Sequence, residues 1–196
     1  MKKTNYIQTY SGILFYPLEP DPELILLPDI AHGLSNLCRY GGHCRKFYSV
    51  AQHCLMVCEL LKEHAPHVQL AGLLHDATEA YLIDLPKPLK LKMPDYVEAE
   101  HRLLQAISSR FRIMEQLLEG DLVKDADKAS LVIESRYLMA PLHPGFALGA
   151  VDKANDSGVS FGECLSPEEA ERRYLAKFDE LWLMRENHFQ QEQVHR

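Results

Sequence analysis

The chain has 196 residues, 46% of them apolar and 25% charged, enough for one domain with a sizeable core. A formal net charge of −7 argues against a general nucleic-acid or anionic-membrane binder, which would show a basic excess, but leaves room for a small anionic ligand. No run of about 18 apolar residues is present, and Met1-Lys2-Lys3-Thr4-Asn5 leads into no apolar stretch, so neither a membrane span nor a secretory leader is expected.

Tyr6 to Leu18 reads as two short strands around Ser11-Gly12, with Ile7 and Thr9 alternating before the turn and Leu14 and Tyr16 after it. Pro17, Pro20, Pro22 and Pro28 break the next stretch. From about Asp29, the spacing of Ile30, Leu34, Leu37 and Cys38 predicts a helix ending at Gly41-Gly42. Ser49-Val50-Ala51-Gln52 is a capping box, so a helix to Lys62 follows, with Ala51, Cys54, Leu55, Cys58 and Leu61 as its apolar stripe. Another helix is expected over about Val68 to Ile83, stopped by Pro86 and Pro88. Asp95 and Glu98 suggest a cap for a long helix from Tyr96 to about Leu118, which Gly120 interrupts. Leu122, Ala126, Ala129, Ile133 and Tyr137 mark one more.

Leu142 to Glu163 carries glycines and no clean period and is expected to be a long loop. Ser166-Pro167-Glu168-Glu169 opens a last helix, with Ser as N-cap and Pro in first position. The polar tail after Glu186 is expected to fray. The sum is an all-α single domain over 1–196, with a helical core at about 29–140, a C-terminal helix at about 167–185 and a small N-terminal β-hairpin. The five cysteines, Cys38, Cys44, Cys54, Cys58 and Cys164, form no Cys-x-x-Cys pair and are unlike the usual zinc spacings. Reduced thiols in a cytoplasmic protein are the plain reading, with Cys54 and Cys58 in the core.

Chemistry concentrates in Leu73-Leu74-His75-Asp76-Ala77-Thr78-Glu79. It sets an imidazole and a carboxylate side by side in an apolar segment, with Glu79 one turn further on. Unpaired buried charge costs several kcal/mol, and a divalent cation is an efficient compensation. Two other helices break their apolar pattern at a potential ligand: His53 between Val50 and Val57, and Asp127 between Val123 and Leu131. Taken alone, a histidine such as His53 is more often a hydrogen-bonded structural residue and an aspartate such as Asp127 more often solvated or capping; the set of three interruptions shifts the balance. Two imidazoles and two carboxylates suit zinc, manganese, cobalt, iron or nickel, and magnesium is also admitted.

The pattern His53, His75-Asp76 and Asp127 resembles that of the HD superfamily. The likeness extends to Arg39-Tyr40, Tyr48-Ser49-Val50-Ala51-Gln52-His53, Leu74 to Ala80 and Asp84-Leu85-Pro86-Lys87-Pro88-Leu89-Lys90, over roughly Asn36 to Ser135. These segments are similar to compact bacterial 5′-deoxynucleotidases and to phage enzymes that hydrolyse dATP. The resemblance implies that His53, His75, Asp76 and Asp127 hold a metal, that Glu79 orients or deprotonates a water, and that Asp84 assists the leaving oxygen or the sugar. It also implies that Arg39 and Tyr40 contact the substrate. Where the monophosphate-specific enzymes carry a tryptophan after the motif arginine, this chain carries Tyr40. Lys87 and Lys90 could pair with phosphates and read equally as solvated surface charge; Lys124 and Lys128 are weaker candidates.

The implied activity is hydrolysis of phosphate from a 2′-deoxynucleotide, with a triphosphate such as dATP first. The alternatives are a 5′-deoxynucleotidase acting on monophosphates and a non-catalytic nucleotide-binding HD sensor. The expected partner is a small nucleotide rather than a nucleic-acid polymer or a membrane, and the expected assembly a cytoplasmic homo-oligomer, encoded by a bacterium or by a phage acting in its host.

Overall fold

A computed structural model of the chain describes residues 5–141 and 151–194. The first four residues, and the part of the expected loop at 142–150, lie outside them. The fold is all-α with a small N-terminal hairpin. Strands β1 (Ile7–Gln8) and β2 (Leu14–Phe15) pair antiparallel, Ile7 opposite Phe15 and Gln8 opposite Leu14. Gly12 makes the turn at φ +81, a conformation that favours glycine. Phe15, rather than the Leu14 and Tyr16 picked out by alternation, is the fully buried residue. In so short a ribbon the pattern fixes the facing face weakly.

Helix α1 (Leu27–Asn36) starts with Pro28 in its first turn, where the missing N–H costs nothing, and buries Ile30, Ala31 and Leu34. It ends earlier than the expected Gly41-Gly42. Leu37 and Cys38 are extended because their backbone is engaged elsewhere: Val50 N–H donates to Leu37 O, Arg39 N–H to Tyr48 O, and Cys38 bridges Ser49. A tight turn over Arg39–Gly42 follows, with Tyr40, Gly41 and Gly42 at φ +58, +57 and +81. Helix α2 (Val50–Leu60) is capped as expected, Ser49 Oγ accepting from Gln52 N–H at 3.1 Å. Cys54 and Cys58 are buried in the core.

The helix expected over Val68 to Ile83 is instead two: α3 (Pro66–Leu74) and α4 (Glu79–Leu82), joined by turns over residues 75–78. Three successive carbonyls at the break find donors. His75 Nδ1 serves Gly72 O at 2.9 Å, the buried Tyr174 hydroxyl serves Leu73 O at 2.8 Å, and Ala77 N–H serves Leu74 O at 3.0 Å.

Helices α5 (Lys87–Lys90) and α6 (Pro94–Phe111) come next. Pro94 opens α6 with Met93 before it and no side-chain cap, so Asp95 is not the cap expected of it. The expected run to Leu118 stops at Phe111, where Arg112 turns left-handed at φ +49, and a separate α7 (Glu115–Leu118) follows. Helix α8 (Asp121–Leu138) matches expectation. Helix α9 (Val151–Asp156) stands where a loop was expected. Helix α10 (Pro167–Val194) starts at the Ser166 cap and runs past Glu186 to Val194.

α10 packs along α1, α2 and α3, with Ala170, Tyr174 and Leu181 buried. α1, α2, α3 and α8 thus converge on one core, and the turns between α1 and α2 and between α3 and α4 face the same end of it. Among the described residues no helix is long and apolar enough to cross a membrane.

Candidate metal centre

Three segments deliver the four expected ligands to one point. His53 comes from the first turn of α2, His75 and Asp76 from the break after α3, and Asp127 from the second turn of α8. His53 Nε2 stands at the centre, 3.2 Å from His75 Nε2, 3.4 Å from Asp76 Oδ2 and 3.3 Å from Asp127 Oδ1. His75 Nε2 lies 3.3 Å from Asp76 Oδ2. Exposure rises from 0% at the His53 side chain through 21% at Asp76 to 43% at Asp127, so the cluster opens toward solvent on its acidic side.

The donor set fits a cation. His75 Nδ1 donates to a backbone carbonyl and His53 Nδ1 to the Glu134 carboxylate at 2.7 Å, with Ser130 Oγ at 3.2 Å. In the neutral imidazoles both Nε2 atoms therefore carry lone pairs, facing each other and two carboxylate oxygens. Acceptors brought this close around His53 Nε2 repel unless protons or a metal ion sit among them. Ligands about 2.1 Å from a shared ion and 90–109° apart are themselves about 3.0–3.4 Å apart, which is the spacing found from His53 Nε2 to the other three atoms and from His75 Nε2 to Asp76 Oδ2. His53, His75 and Asp127 form a group able to hold a metal ion, and Cys54, His75 and Asp76 form another. In the second, burial pushes the Cys54 thiol up to about 11 with His75 opposing, so the imidazole and carboxylate atoms are the better ligands.

The charges agree with that reading. Burial and Arg39 both disfavour a proton on His53, yet Glu134, Asp127 and Asp76 outweigh them and hold its pKa well above the usual histidine value. Burial likewise works against charge on His75, but Asp76 raises it to about 10. Asp76 is held well below the ordinary carboxylate range by His75 and His53 despite its burial. Without a metal, the cluster attracts positive charge in the form of protons.

Glu79, at the start of α4, has its Oε2 buried with no hydrogen-bond partner. Burial first, then Asp76 and Asp84, push it well above the usual carboxylate range, against Arg39 and His53. Asp84 is half-buried and is also raised by burial, with Arg39 opposing. Arg39 is in the site, its Nε 3.1 Å from Glu134 Oε2 and its Nη1 3.8 Å from Asp76 Oδ2. The Tyr40 hydroxyl donates to Glu134 Oε2 at 2.8 Å, and the Arg39 guanidinium lies 5.2 Å from the Tyr40 ring centre.

The two expected lysines part company. Lys87 is exposed on α5, whereas Lys90 pairs with Glu100 and lies 5.9 Å from the Tyr96 ring centre, so its charge is already engaged. Lys128 pairs with Asp125 at 3.6 Å.

Glu134 escaped the sequence reading. It is fully buried and receives His53, Arg39 and Tyr40 together, and its pKa is lowered by His53 and Arg39 in spite of burial. The available signal was its position seven residues after Asp127, two turns along the same face of α8.

The molecule is thus an all-α protein whose core is broken by an imidazole–carboxylate cluster able to hold a metal ion. The chain is 38% identical over 134 residues to the uncharacterized protein YfdR of Escherichia coli K12, an alignment covering 68% of this chain and 72% of YfdR. It belongs to the same family as YfdR. It is also 37% identical over 143 residues to an uncharacterized protein of Rhodobacter capsulatus, covering 69% of this chain and 71% of that one. No family model matches the chain.

Proposed function

We propose that the chain is an HD-type, metal-dependent phosphohydrolase that removes phosphate from 2′-deoxynucleotides, a deoxynucleoside triphosphate such as dATP being the first substrate to test. The observation that carries this reading is the meeting of four acceptor atoms from three segments beside a buried, unpartnered glutamate oxygen. His53, His75, Asp76 and Asp127 would hold the ion, which would supply a Lewis acid for water and for a phosphoryl group. Glu79, with a buried Oε2 free of hydrogen-bond partners and interacting electrostatically with Asp76 and His53, would receive the proton of the attacking water. Asp84, with its raised pKa, passes a proton to the leaving oxygen or orients the sugar. Arg39 holds positive charge beside Asp76, with part of its guanidinium committed to Glu134, and Tyr40 offers a ring face to the nucleoside. A cytoplasmic location and a homo-oligomeric state belong to the same proposal.

Incubation of the metal-loaded protein with a panel of nucleotides and several divalent metals, with product identification, tests it. Consumption of dATP supports the leading reading. Consumption of dAMP but not dATP would move the assignment to a 5′-deoxynucleotidase, a reading favoured by the engagement of Lys90 with Glu100, which leaves fewer cations for a triphosphate. Nucleotide binding without turnover under any metal would leave a sensor.

A further inference from the structure

The turn that carries Arg39 and Tyr40 is bracketed by two thiols. Cys38 precedes Arg39 and Cys44 follows the turn, and their sulfurs lie 3.5 Å apart. Both side chains are half-buried and therefore reachable by small reagents, unlike Cys54 and Cys58 in the core. A disulfide needs sulfurs about 2.05 Å apart, so an approach of about 1.5 Å closes the pair. The two ends differ in freedom. Cys38 is held in a backbone bridge to Ser49, whereas Cys44 follows Gly41, Gly42 and His43. Residue 45, next to Cys44, donates its N–H to Leu138 O at the end of α8, the helix that carries Asp127 and Glu134.

We propose that Cys38 and Cys44 form a reversible disulfide that tightens the Arg39–Tyr40 turn and slows turnover; the effect on turnover rests on the hydrolase reading above. With a peroxide as oxidant, one thiolate attacks the peroxide oxygen, giving a sulfenic acid as the O–O bond breaks and the leaving oxygen takes a proton. The second sulfur then attacks the sulfenic sulfur, forming the S–S bond and releasing water. Two thiols are oxidised and one peroxide is reduced. A dithiol reverses the change by exchange through a mixed disulfide. Closure draws the Cys44 end toward Cys38 and shifts Arg39 and Tyr40 from the positions in which both bond Glu134.

Trypsin provides the test because it cuts after Arg39 and Arg45, which separates Cys38 from Cys44. After mild hydrogen peroxide treatment of the full chain, the expected product is the Tyr40–Arg45 peptide joined to the peptide ending at Arg39. Dithiothreitol should separate them, and Cys44→Ser should give no such product. Amide exchange over residues 39–45 should slow on oxidation, and nucleotide turnover should fall at least about five-fold, returning on reduction, with Cys44→Ser insensitive to peroxide. Absence of the joined peptides would overturn the proposal, as would a disulfide that changes neither exchange nor turnover. If the reduced protein hydrolyses no nucleotide, the hydrolase reading fails separately, and the joined peptides and amide exchange still decide whether the thiols restrain the turn.

Discussion

Glu134 ties the imidazole–carboxylate cluster to its surroundings, because one buried carboxylate orients His53 and anchors Arg39 and Tyr40. Glu134→Ala should cost about 3–5 kcal/mol of stability, measured by denaturant unfolding, since it removes the nearer of Arg39's two carboxylate partners in a low-exposure site and strips His53 Nδ1 and the Tyr40 hydroxyl of their shared acceptor. Glu134→Gln keeps the shape but weakens the orientation of the His53 ring, and zinc affinity measured by competition with a chromophoric chelator should fall about 10–100-fold. Unchanged affinity would remove Glu134 from the metal's support. Glu79→Gln should bind metal as wild type does and lose turnover by about 10²–10⁴-fold; full activity would remove the proton-transfer role. The four expected ligands were legible because each interrupts an apolar stripe at helical spacing. Glu134 was not, since a glutamate beside Ile133 on a long helix looks like one on a solvated face, and only the folded packing of α8 on α2 buries it. The fate of Lys90 was equally hidden, because its partner Glu100 sits on the next helix.

At the scale of elements, the break between α3 and α4 sets the site. It places His75 and Asp76 at the end of a buried helix instead of within one, and starts a new short helix at Glu79. Beside two local donors, the break draws on one brought from elsewhere, the Tyr174 hydroxyl on Leu73 O. Tyr174→Phe removes that donor while keeping the ring, and should lower stability by about 1–3 kcal/mol in thermal or denaturant unfolding. An unchanged midpoint would mean the carbonyl is satisfied in another way. Apolar periodicity extends through Leu70, Leu73, Leu74, Ala77 and Tyr81 without registering a break whose stabilising contact lies about a hundred residues away, which is why one helix was expected. Local signals fared better. Ser49 and Ser166 cap the helices they announce, because an N-cap needs only the next three residues. The early stop of α1 follows from the pairing of Leu37 to Arg39 with Tyr48 to Val50, again a contact between separated segments.

Across the whole molecule, helices that meet in one apolar core bring a cluster of facing acceptors together, and a metal ion would relieve their repulsion. Because the unfolded chain lacks that convergence, metal should stabilise the native state. At a free concentration about 100-fold above the dissociation constant the gain is about 2.7 kcal/mol, and chelation should lower the melting temperature by several degrees. The all-α class followed from the apolar pattern, and the convergence of His53, His75, Asp76 and Asp127 from that pattern together with the likeness to HD enzymes, since burial of apolar stripes leaves interrupting polar residues with few places to go. The path of the C-terminal helix beyond Glu186 and the short helix at Val151–Asp156 did not, because their sequences are polar or glycine-flanked and carry weak periodicity.

The most direct test is metal stoichiometry. Protein stripped with a chelator and dialysed against zinc or manganese should retain about one ion per chain, and His75→Ala and Asp127→Ala proteins that remain folded by circular dichroism should retain almost none. Wild-type protein that binds no ion under either metal, or substituted proteins that bind as well as wild type, would contradict the account.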